Sequence, residues 1–178
     1  MKPHPAPGNG TAAALRQAFD QAFAAPAGAA RAATVDLLAI RIAGEAYALR
    51  LSGIAGLHAD RRIVPLPGAA SELLGVAGLR GSLVAVYDLG TLLEYPRSEK
   101  PRWIALAANE RTLGLAFEEL EGFLRLAPQD LTTSGSTPGR HVHEVAHAGS
   151  ILRPVVDVAS AVETIRRLAR RGGPPEEG

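Results

Sequence analysis

From Val35 onward, apolar positions fall in short β-capable runs separated by glycine and proline. Val35–Ala43 and Tyr47–Leu51 flank Gly44-Glu45, the pattern of a hairpin. Arg61-Arg62-Ile63-Val64-Pro65-Leu66-Pro67 reads as extended chain, because a residue before proline is pushed towards β. Ser71–Leu74 reads as a short helical turn. Gly75–Leu79 and Ser82–Tyr87 are two strands joined at Arg80-Gly81, and Asp88 is a cap for a short helix through Leu93. After the charged, proline-flanked connection Pro96–Pro101 come three further strands: Trp103–Ala107, Thr112–Phe117 and Gly122–Leu126. Thr132–Gly139 is a loop. Val142–Ala146 and Ser150–Val156 form a last pair, and Ala159–Arg171 is a helix with Val162, Ile165 and Leu168 inward.

Before Val35 the texture differs. Met1–Gly10 reads as a disordered tail. Thr11–Ala25 carries Leu15, Phe19, Ala22 and Phe23 at helical spacing, and Pro26–Ala33 reads as a linker. The expected organisation is therefore 1–33 as tail, amphipathic helix and linker, 34–163 as the main domain, and 164–178 as the helix end and a frayed tail.

One segment is written twice. Gly81-Ser82-Leu83-Val84-Ala85-Val86-Tyr87-Asp88-Leu89 is echoed by Gly149-Ser150-Ile151-Leu152-Arg153-Pro154-Val155-Val156-Asp157-Val158. Each is Gly-Ser, an apolar strand, an aspartate and an apolar residue that opens a helix. Short strands at regular spacing with an internal echo point to two similar β-barrel halves.

Composition narrows the chemistry. There are no cysteines, which excludes disulfides, thiolate zinc sites and cysteine nucleophiles. Nineteen Lys+Arg against eighteen Asp+Glu leave a net charge of +1, with no footprint for nucleic acid. The cluster Arg166, Arg167, Arg170 and Arg171 suits the negative end of a helix dipole. No apolar run reaches the ~18 residues of a membrane span. The N-terminus lacks the basic start and apolar run of a signal peptide, so a cytoplasmic location without membrane insertion is expected.

The segment Gly75-Val76-Ala77-Gly78-Leu79-Arg80-Gly81-Ser82-Leu83-Val84-Ala85-Val86-Tyr87-Asp88-Leu89 resembles the signature of CheW-type coupling domains. There it runs Gly-Val-x-Asn-Leu-Arg-Gly, an aliphatic strand containing proline, then Asp-Leu. Ile40–Leu49 is similar to that family's opening hairpin with its Gly-Glu-x-Tyr turn. Ile63–Pro67, Leu113–Leu120 and Phe123–Leu131 resemble, in order, its extended Pro segment, its Gly-Leu strand and the strand and turn that follow. The resemblance spans about Val35–Val162.

It implies an all-β fold of two SH3-like five-stranded barrels around a shared core, with short N- and C-terminal helices. It implies a non-catalytic adaptor without cofactor or metal. The partners it implies are the regulatory domain of a CheA-type histidine kinase and the cytoplasmic tip of methyl-accepting chemoreceptors. Leu79, Arg80, Gly81 and Val84 are the expected partner-binding residues. Gly78, Ala85 and Glu144 stand where the family has Asn, Pro and Gly, which fits a divergent paralogue serving another chemosensory pathway, such as surface motility.

The residues leave other chemistry to weigh. Arg80 offers a rigid fork of donors, either to a partner or to carbonyls of its own domain. Asp88 and Asp157 could be paired catalytic carboxylates, but each follows a strand and precedes a helix, where aspartate caps. His143-Glu144-Val145-Ala146-His147 matches His-Glu-x-x-His, the motif of a small zinc hydrolase, which needs a helix to put both imidazoles on one face. On a strand His141, His143 and His147 would share a side, with His143 and His147 about 13 Å apart.

Overall fold

The alternating stretch from Val35 becomes β1 (Val35–Ile42), folded onto β2 (Glu45–Arg50) through a two-residue turn, Ala43-Gly44. The computed structural model describes residues 33–133 and 140–171. The tail expected over 1–10, the amphipathic helix over 11–25, nearly all of the linker after it, most of the 132–139 loop and the frayed C-terminal tail lie outside the described residues.

A strand not anticipated from the sequence follows, β3 (Ile54–Ala59). Next come β4 (Leu73–Leu79) and β5 (Ser82–Asp88), then the short α1 (Leu89–Leu92). Leu73 and Leu74 begin β4 rather than a helical turn, because Leu73 already pairs with Tyr87. The chain continues through β6 (Trp103–Ala107), β7 (Glu110–Phe117), β8 (Glu119–Leu126), β9 (Leu131–Thr133), β10 (Val142–Ala148) and β11 (Ile151–Val156). It ends in α2 (Val158–Arg171).

These strands form two mixed sheets, in the orders β8-β1-β2-β11-β10-β9 and β3-β6-β7-β5-β4. One sheet thus has six strands where five were expected, the extra one being the three-residue β9. The sheets match strand for strand. β2 runs parallel to β11 as β7 does to β5, and every other neighbouring pair is antiparallel. Even β9 has a counterpart, the isolated bridge of Val64 onto Val76 at the β4 edge. The repeat is not two consecutive halves. The five-stranded sheet is built from β3–β7, inserted between the β1–β2 hairpin and the strands that complete its sheet.

Alternation gives each sheet two apolar faces. One face of the five-stranded sheet buries Leu74, Ala77, Leu79, Val84, Val86, Ile104, Leu106 and Ala116 together. Its other face contributes Ala105, Leu113, Leu115 and Phe117 to a core shared with Leu38, Ile40, Ile42 and Leu49 of the six-stranded sheet. Leu89 and Leu92 of α1 close that core, as do Val158, Ala161, Val162 and Ile165 of α2. The remaining face of the six-stranded sheet holds a small cluster: Leu37, Ala48, Ala146 and Val155.

Candidate functional site

The β4–β5 turn consists of Arg80 and Gly81, with φ of 50° and 81°. Two successive positive φ values define a two-residue turn whose twist matches the flanking strands. Glycine takes this conformation freely, whereas arginine does so at a cost of about 1 kcal/mol. The turn is exposed. No ion pair among the described residues uses Arg80, and no hydrogen bond ties its guanidinium to a loop carbonyl, so the internal clamp is not formed.

Of the four residues expected to bind partners, the structure leaves Arg80 and Gly81 accessible. Leu79 and Val84 are 3% and 1% exposed and pack inside the five-stranded sheet. Their side chains anchor the turn from within and do not present a surface. The most accessible apolar residue beside the turn is Leu83, at 72% exposed, which is not among the four expected residues. Counting back in steps of two from buried Asp88 puts Val86 and Val84 inside and Leu83 outside, so strand alternation carried that signal.

Leu83 lies opposite Gly78, which has no side chain to cover it. The next row on the same face is Val64, Val76 and Ala85, linked by the Val64–Val76 bridge and the Val76–Ala85 pair. Val64 is 49% exposed and Leu66 beside it is also exposed. Further along this face Tyr87 packs against the shared core. Towards the turn that cover runs out. An uncovered apolar strip therefore ends at a free guanidinium. Inside, His58 on β3 is buried with its Nε2 unpartnered. Burial lowers its pKa from the ordinary value, and the charges of Arg80 and Arg61 push the same way.

The matching hairpin of the other sheet, β10–β11, repeats the outward leucine and changes the charge. Leu152 and Ile151 are exposed. Its turn is Gly149-Ser150, with no arginine. Where β5 has Val84, β11 has buried Arg153, paired with Glu121 at 2.6 Å; Glu121 also accepts from Arg41 at 2.7 Å. Burial pushes the Glu121 carboxyl up, but hydrogen bonds and charge from Arg41 and Arg153 outweigh it, and the net shift is down.

The His-Glu-x-x-His segment lies on β10, not on a helix. A bulge at Val142–Glu144 breaks the alternation expected of its histidines. His141 precedes the strand at φ 64° and is buried, while His143 and His147 are exposed. Each side chain has its own neighbour. His143 Nε2 is 3.7 Å from Asp157, Arg50 Nε donates to Glu144 at 3.0 Å, and His147 Nε2 lies 3.2 Å from Thr132 Oγ1. No group of three or more His, Asp or Glu arranged to hold a metal occurs among the described residues.

Asp88 and Asp157 act as caps. Asp88 is fully buried and accepts from Gly90 N at 3.3 Å, Thr91 Oγ1 at 2.7 Å and Ser98 N at 2.9 Å. Asp157 accepts from Ser160 N at 3.1 Å. Each belongs to its own sheet and helix, so they are not a catalytic pair. Among the described residues no helix is long and apolar enough to cross a membrane.

Carboxylates spent on caps and ion pairs, together with apolar strips at the strand ends of two linked β-sheets, make this a binding scaffold. The chain belongs to the CheW-like domain family, whose model matches residues 36–166, and is thereby a chemotaxis scaffold adaptor. No curated protein matches the sequence significantly. Among solved structures it is similar to the scaffolding protein TtCheW from Thermoanaerobacter tengcongensis. The TM-score is 0.61 at 17% identity, over 70% of this chain and 89% of that one, a likeness of fold.

Proposed function

We propose that this protein couples methyl-accepting chemoreceptors to a CheA-type histidine kinase as a cytoplasmic scaffold in a chemosensory array. The observation that carries this reading is the unpaired Arg80 at the end of the uncovered Leu83–Val64 strip. Arginine beside an apolar patch is the usual make-up of an interface anchor, since a guanidinium can bond a partner's carboxylates or carbonyls while its neighbours exclude water. Arg80, Gly81 and Leu83 form the contact, and Leu79 and Val84 hold its shape. Gly78, Ala85 and Glu144 change the residues at and behind the β4–β5 and β10–β11 hairpins, which fits a divergent paralogue serving another chemosensory pathway, such as surface motility.

The test is a titration against the regulatory domain of the host's CheA-type kinases and against receptor tips. Saturable binding is expected. Arg80→Glu should weaken it about tenfold or more, equivalent to ~1.4 kcal/mol, with unchanged circular dichroism. A folded sample that binds neither partner refutes the coupling role. Binding indifferent to Arg80→Glu and to Leu83→Asp removes this turn from the interface.

A further inference from the structure

His141 closes a ring of three hydrogen bonds between the start of β10 and the first turn of α2. Its Nδ1 lies 2.8 Å from Ser160 Oγ. Ser160 N donates to Asp157 Oδ1 at 3.1 Å, and Asp157 N donates back to the His141 carbonyl at 2.7 Å. The imidazole is buried and its Nε2 has no partner. The backbone takes φ 64°, a conformation histidine holds only when its surroundings impose it.

The charges facing the ring are one-sided. Arg140 precedes it in the chain, His143 follows on β10, and Arg167 approaches from α2, against the single carboxylate of Asp157. Glu94, just past α1, lies 3.8 Å from Arg140 and offsets that cation in part. A proton added to the ring would sit on a second N–H with no acceptor, among three bases and away from water.

We propose that His141, Asp157 and Ser160 form an acid-opened latch, in which protonation of His141 releases the first turn of α2 from β10. Opening exposes the flank of the shared core covered by Val158, Ala161 and Val162. Burial first, and then the charge of Arg140, lower the His141 pKa from 6.5, with Asp157 opposing. The open form therefore binds the proton better than the closed one. The latch is at full strength above the ordinary value of ~6.5 and weakens as pH falls through that value towards the lowered one.

Amide exchange over Val158–Ile165, corrected for intrinsic rate, tests this at pH ~7.5 and ~5.5. Protection should fall at the lower pH. In His141→Gln, whose side chain does not titrate, protection should be the same at both. His58→Gln, which removes the other buried imidazole among the described residues, should leave the response of α2 intact. Three results overturn the latch: constant protection in the natural protein, a fall that persists in His141→Gln, or one abolished by His58→Gln instead. Should His141→Gln fail to fold, the ring's own titration by NMR decides, because a pKa at or above ~6.5 rejects the proposal.

Discussion

Gly75→Ala is expected to destabilise the domain by about 3 kcal/mol or more, the sum of backbone strain and a steric clash. Gly75 sits at the β4–β5 bulge with φ 145°, a region closed to side-chain-bearing residues. A Cβ there would overlap the Val64 carbonyl and come within 2.8 Å of Pro65 Cα. Those atoms cannot retreat without breaking the bridge, in which Val64 N donates to Val76 O at 2.8 Å and Val76 N to Val64 O at 2.9 Å. The measurement is urea unfolding followed by fluorescence of Trp103. A loss under ~1 kcal/mol would mean that the Val64–Pro65 segment is free to move, since surface changes away from such features cost about ±0.5 kcal/mol. Because Val64 and Val76 lie in the apolar strip, the same substitution should also weaken partner binding.

The two aspartate caps, alike in sequence, should respond very differently to removal. Asp88→Ala is expected to cost about 3 kcal/mol, because it strands two backbone N–H groups and a hydroxyl in a buried site. One of those donors, Ser98 N, ties the 96–101 connection to the start of α1. Asp157→Ala should cost only about 1 kcal/mol, a typical cap at a partly exposed position where water can replace the carboxylate. Parallel denaturation of both variants near neutral pH checks the difference. Equal losses would show that Asp88 is not the hub that its three partners make it.

The hairpins were readable because each pairs alternating apolar residues with a turn that announces itself in the sequence. Arg80-Gly81 between Leu79 and Ser82 is the clearest case. β3 went unread because Ile54–Ala59 contains Gly56 and two alanines, residues of low β-propensity, and is held as a strand by pairing with β6. β9 has three residues and exists through β10. The zinc motif could be judged from its flanks, since Gly139 before it and Gly149 after it leave little room for a helix. At the candidate site the turn was legible and the orientation of its neighbours was not. Leu79 and Val84 look as available as Leu83 until one residue of the strand is known to be buried. The interleaving of the sheets was beyond local reading, because β1 pairs with β8 some eighty residues away and no property of either strand names the other.

That interleaving has a consequence for how the chain acquires its shape. β1 and β2 are made before the other described strands, yet the strands that flank them, β8 and β11, are made only after β7. The five-stranded sheet draws all its strands from the continuous run β3–β7 and can close as soon as β7 has emerged. During synthesis the opening hairpin must wait, with Leu38, Ile40 and Leu49 uncovered, while a complete sheet assembles behind it. Pairings of such long sequence separation are slow to form and leave the early strands open to aggregation. The six-stranded sheet is thus completed only when strands made after the five-stranded sheet take up the waiting hairpin.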